Sequence, residues 1–80
     1  MSGSQENKKL VRKERKILAH NLKRARIDAG LTQEDMAKRT GLTQPFISGV
    51  ESGTTTISLD NASRLAEAVG QPLYKLLSPL

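Results

Sequence analysis

Across residues 10–29 apolar residues recur as Val11, Leu18, Leu22, Ala25 and Ala29, with Ile17 and Ile27 beside the stripe. This spacing of three and four predicts a helix with one buried stripe, and Lys and Arg fill the other face. Thr32 stands three residues before Asp35, the pattern of a helix start in which a Thr hydroxyl and an acid cap each other. The acids Glu34 and Asp35 also suit the positive end of a helix dipole. A second helix is therefore expected over residues 33–40, with Met36 and Ala37 facing the core. After Gly41 and Leu42, Thr43 caps a third helix. Pro45 is tolerated there, because a first-turn residue does not need its N–H. Ile47 and Val50 are one helical turn apart and point inward.

Ser52 and Gly53 end that segment, and Thr54, Thr55 and Thr56 form a β-branched loop. Ser58 caps a fourth helix whose expected buried stripe is Leu59, Ala62, Leu65, Ala66 and Val69. Gly70 stops it, and Gln71 and Pro72 open a short fifth helix with Leu73, Leu76 and Leu77. Gly30, Gly41, Gly53 and Gly70 fall where helix stops belong. No strand is needed, so the fold class is all-α, with five compact helices. Residues 1–9 are polar and basic and read as a flexible tail, and residues 10–80 read as one domain.

Charge changes this picture, because it is lopsided. The 80-residue chain has a formal net charge of +5. Residues 1–30 hold nine Lys and Arg against three acids, while residues 31–80 hold four against five. A basic first third points to a polyanionic partner or to a solvated, solubilising helix face. There is no Cys, hence no disulfide framework and no thiolate metal site. No apolar run approaches the roughly 20 residues of a membrane span, and the first 30 residues lack the apolar core of a secretory signal. A membrane-surface role for the first helix is disfavoured, since it lacks Trp and Phe. His20 has no partners at metal-ligand spacing. There is no glycine-rich phosphate loop and no nucleophile motif, and the chain is short for a pocket. An enzyme is not expected, nor is a cofactor.

The chemistry lies in two short helices joined by a Gly-containing turn, residues 32–52, the pattern of a helix-turn-helix. The second of them carries Ile47 and Val50 on one side and Thr43, Gln44, Pro45, Ser48, Gly49 and Ser52 on the other. An α-helix fits the major groove of DNA. Gln can bridge adenine N6 and N7, hydroxyls can bond several base edges, and small apolar atoms can touch a thymine methyl. Phe46 and Tyr74, the two aromatic residues, are too far apart in sequence to form a base-stacking surface and are expected to be packing or interface residues.

The run LTQEDMAKRTGLTQPFISGVESG resembles the helix-turn-helix of the lambda-repressor/Cro-like family of phage and bacterial regulators. The resemblance covers residues 17–77. Within it, FISGVESGTTTISLDN is similar to the controller proteins of restriction–modification systems. The resemblance implies a cytoplasmic, bacterial or phage-encoded regulator that binds double-stranded DNA as a homodimer on a palindromic operator. It implies base reading by Thr43, Gln44, Pro45, Ser48 and Gly49. It places Gln33 on a phosphate, bracing Gln44, and assigns backbone contacts to Ser52, Thr54, Thr55 and Thr56. Lys38 and Arg39 are either a phosphate clamp or a solvated face. Arg26 and Glu51 match a structural ion pair between the first and third helices.

Three departures stand out. Pro45 occupies a place where many controllers carry Arg, the loop after Gly53 is three threonines, and the first helix is unusually long and basic. With no Arg in the third helix to grip guanine, readout is expected from Gln44, apolar contact and DNA shape. The basic helix, with Arg12, Lys13, Arg15 and Lys16, is expected to touch the DNA backbone. Leu73, Leu76 and Leu77, with Leu80, exceed what so short an end can bury, which points to a dimer contact. RNA polymerase or an acidic protein is a further candidate partner. The alternative reading is an antitoxin or protein-interaction module in which the motif is scaffold or autoregulator.

Overall fold

The computed structural model describes residues 12–79. The expected tail of residues 1–9, and Leu10, Val11 and Leu80, lie outside the described residues. Five helices follow in order: α1 (Arg12–Asp28), α2 (Gln33–Thr40), α3 (Gln44–Ser52), α4 (Leu59–Ala68) and α5 (Leu73–Leu76). The described residues are all-helical, as the spacing predicts. α1 packs on α3 and α5, α2 joins α3 to α4, and α4 closes on α5.

The caps are the ones the sequence signals. Thr32 Oγ1 accepts the Asp35 N–H at 3.0 Å, and Asp35 Oδ2 accepts the Thr32 N–H at 2.9 Å. The Thr32 N–H foremost, and then the Thr32 hydroxyl, hold the Asp35 carboxyl below the usual aspartate range. Thr43 Oγ1 accepts the Phe46 N–H at 3.3 Å, and Ser58 Oγ the Asn61 N–H at 3.2 Å. α3 stops at Gly53, whose φ of 78° is a left-handed conformation that a Cβ would strain.

The core is built from Leu18 and Leu22 of α1, Met36 of α2, Ile47 and Val50 of α3, and Ala62, Leu65 and Ala66 of α4, closed by Val69 and Leu76. Ile57, in the loop before α4, joins them at 1% exposure. It lies outside every helical stripe, so periodicity does not flag it. Two expected core residues are not core. Leu59 is 45% exposed, because periodicity marks a face but not where its packing partners stop. Ala29 lies past the end of α1 and is exposed.

Long-range hydrogen bonds finish the helix ends. Asn21 Nδ2 of α1 donates to the carbonyls of Leu76 and Ser78, each at 3.0 Å. Arg39 Nη1 of α2 donates to the carbonyl of Ala68 at 3.2 Å. Both satisfy carbonyls that a helix leaves without partners at its C-terminus. Thr40 bonds within its own turn and to the turn that follows. Its hydroxyl donates to the Met36 carbonyl at 2.7 Å and accepts the Leu42 N–H at 3.1 Å.

Candidate nucleic-acid interface

α3 has a root and a face. Ile47, Val50 and Glu51 are buried, while Gln44, Pro45, Ser48 and Ser52 are exposed, with Thr43 exposed at the cap. A helix that inserts its opposite side into a groove needs this division. Phe46 is half-buried against the core, as expected of a packing residue.

Glu51 fixes the root. Arg26 grips its carboxylate with both arms, Nε to Oε2 at 2.7 Å and Nη2 to Oε1 at 3.0 Å. Gln33 Nε2 adds a third bond, to Oε1 at 3.1 Å. Arg26 also donates to the Leu31 carbonyl at 2.8 Å. The hydrogen bond to Glu51 is the main reason the Arg26 guanidinium is held protonated even more firmly than usual. One carboxylate therefore ties α3 to both α1 and α2, and sets how far α3 projects.

Gln33, expected on a phosphate and bracing Gln44, opens α2. Its amide turns to Glu51 rather than to Gln44, because a bond to a buried carboxylate is stronger than one between two neutral amides. Arg39, offered as a phosphate clamp, donates to the end of α4. Lys38 is exposed on α2.

Gly49 moves from the reading surface to the scaffold. It is half-buried, and the loop after α3 folds back over it. Its carbonyl accepts the N–H groups of Thr54 at 3.0 Å and Thr55 at 3.2 Å. It also accepts the Ser52 hydroxyl at 2.9 Å and the Thr54 hydroxyl at 3.3 Å. Ser52 Oγ and Thr54 Oγ1 are 2.8 Å apart. Both hydroxyl protons are thus engaged within the chain, and a phosphate takes them only by displacing the Gly49 carbonyl. Thr55 is half-buried in the loop, and Thr56 is exposed.

A Cβ at Gly49 would collide with the Thr55 hydroxyl and lie 3.0 Å from the Thr55 Cβ. Gly49→Ala is therefore expected to lower stability by about 1–3 kcal/mol, and adding Thr55→Gly restores part of the loss. Denaturant unfolding of wild type, both single variants and the double variant measures this. Strictly additive losses would show that Thr55 is not what excludes the side chain.

The C-terminal leucines divide. Leu76 is buried in the chain's own core, beneath the Asn21 clamp, which corrects its assignment to a dimer contact. Leu73 and Leu77 are half-buried against that core, and Tyr74 is 71% exposed. Asn21 and Ile57 are among the residues that sequence reading misses. Neither carries a local signal, since the carbonyls and the core that engage them are distant in sequence. Among the described residues no acidic or His cluster could hold a metal ion. No helix among them is long and apolar enough to cross a membrane.

Comparison with known proteins places this geometry. Residues 22–76 match the helix-turn-helix family model. A hypothetical transcription factor of Neisseria meningitidis is 37% identical over 65 residues, covering 81% of this chain and 61% of that protein's length. An uncharacterized helix-turn-helix-type transcriptional regulator of Sinorhizobium fredii is 34% identical, covering 81% of this chain and 84% of that one. Among solved structures, a hypothetical transcription factor from Neisseria superposes with a TM-score of 0.79 at 33% identity, covering 89% of this chain and 83% of that one. The restriction–modification controller protein C.AhdI of Aeromonas hydrophila superposes at 0.75 and 31% identity, covering 80% and 97%.

Proposed function

The chain belongs to the lambda-repressor-like helix-turn-helix family, and from that premise we propose that it is a sequence-specific DNA-binding transcriptional regulator of the controller kind. It acts as a homodimer on a palindromic operator. The observation that carries this reading is the division of α3. A buried root is anchored through Glu51 to two other helices, and the face opposite presents Thr43, Gln44, Pro45 and Ser48.

Affinity comes from Lys and Arg neutralising phosphates, and specificity from the uncharged α3 face. Gln44 reads one base pair in each half-site, and the rest of the selectivity lies in apolar contact and DNA shape. Two copies of α3 must sit about 34 Å apart, one turn of the duplex, to read two half-sites. Half-buried Leu73 in α5 and Leu77 just after it are the leucines left to contribute to the contact between protomers.

Selection of bound duplexes from a random library tests the proposal. A two-fold symmetric consensus is the expected result, with a dimer in sedimentation at micromolar concentration. An enriched pool without a consensus, or a protein that stays monomeric on DNA, overturns it. Gln44→Ala is expected to relax preference at one position of each half-site, costing about 1–3 kcal/mol on the preferred base. Competition titration against operators changed at single positions measures this. Uniform weakening on every sequence would remove Gln44 from the reading role.

A further inference from the structure

α1 and the end of α3 leave an open groove of about 580 Å³ between them. Its α1 wall presents Lys16, His20, Lys23 and Arg24, all exposed, and its α3 wall includes Ser52 and Gly53. The four α1 residues recur at three and four, so they form one stripe, about 12 Å long at the helical rise of ~1.5 Å per residue. Glu51, the acid in the lining, is buried and neutralised by Arg26 at 2.7 Å. Two of the carbonyls that end α3 are also covered, since Gly53 donates to Val50 at 3.1 Å and Thr54 to Gly49 at 3.0 Å. The groove is therefore positive along its α1 wall, with no unpaired carboxylate in its lining to oppose that charge.

Position supplies the second argument. Ser52 belongs both to the groove and to the exposed face of α3, so the groove continues the reading surface without a break. Anything polyanionic that lies along α3 meets α1 next. Of the four bases that sequence alone puts forward, Lys16 lines this groove and Arg12, Lys13 and Arg15 do not.

We infer that the groove seats the sugar–phosphate backbone of the bound duplex, with Lys16 and Lys23 neutralising phosphates of one strand beside α3. This rests on the DNA-binding reading above. It assigns the basic excess of α1 a place: the charge flanks the reading helix instead of sitting on it.

The test measures binding of the selected operator against salt concentration for the full chain. The logarithm of affinity falls with the logarithm of salt by about 0.9 per phosphate neutralised. The double variant Lys16→Gln, Lys23→Gln is expected to flatten the slope by about 1.8 and to keep the preference for operator over scrambled duplex. Its deficit against wild type then shrinks about tenfold between ~50 and ~200 mM salt. His20→Arg, which adds a charge to the same stripe, is expected to steepen the slope by about 0.9, a gain that misfolding cannot mimic. If wild type prefers its operator while both groove variants keep the wild-type slope, the inference is overturned and the DNA-binding reading stands. The groove then faces something other than the duplex, an acidic protein included. If wild type shows no preference for any duplex, the DNA-binding reading fails and this inference with it.

Discussion

Glu51→Ala is expected to lower the stability of the protein by about 3–5 kcal/mol, the usual cost of breaking a buried ion pair from one side. The Glu51 side chain is 3% exposed and that of Arg26 12%. The substitution leaves the guanidinium in its site without the carboxylate that both its arms hold, and leaves the Gln33 amide without an acceptor. A domain of this size has a total stability of only roughly 4–12 kcal/mol, so the loss removes at least about a quarter of it. Replacing both partners by apolar residues, Arg26→Met with Glu51→Leu, should recover much of the loss, because no charge is then stranded. Urea unfolding of wild type, Glu51→Ala and the double variant measures both effects. A loss under about 1 kcal/mol for Glu51→Ala would mean that water screens the pair as it does a surface ion pair. If the double variant folds but loses sequence preference, the pair serves to place α3 as well as to hold it.

Ile57→Ala is the second large effect, at about 2–5 kcal/mol, the range for truncating a buried branched side chain to Ala. Ile57 is 1% exposed although it lies in a loop, and it belongs to one core cluster with residues of all five helices. Leu59→Ala, two residues on, should fall within about 0.5 kcal/mol of wild type. Helical periodicity ranks these two residues in the opposite order, so the pair separates pattern from packing. A larger loss at Leu59 than at Ile57 would contradict the core described here. Removing Ile57 should also loosen the threonine loop and with it the cover over Gly49. Hydrogen exchange at the Thr54 and Thr55 amides, both bonded to the Gly49 carbonyl, reads that out.

Much of the fold is legible in the chain itself. The Thr32, Thr43 and Ser58 caps and the four glycine stops are short-range chemistry, and they fall where the residues place them. The rooted side of α3 follows from Ile47 and Val50 one turn apart. What is not legible locally is contact across the fold. Asn21 is an ordinary polar helix residue until the end of α5 arrives beside it. Leu76 looks like a surplus leucine until α1 and α4 cover it. Gly49 looks like open surface on a helix until a loop five residues on lies over it. Gln33 reads as a neighbour of Gln44 until the fold brings the buried Glu51 within 3.1 Å of its amide.

The sequence by itself determined five helices, their ends, the uncharged face of α3 and the concentration of positive charge in the first third. These are properties of spacing and of capping bonds that span three or four residues. Tertiary structure alone decided which of those surfaces stay available. It buried Glu51 and Leu76, closed the loop over Gly49, and turned Lys16, His20 and Lys23 toward the end of α3. The physical reason is that exposure and partner choice depend on which distant groups share a volume, and no short-range pattern encodes that.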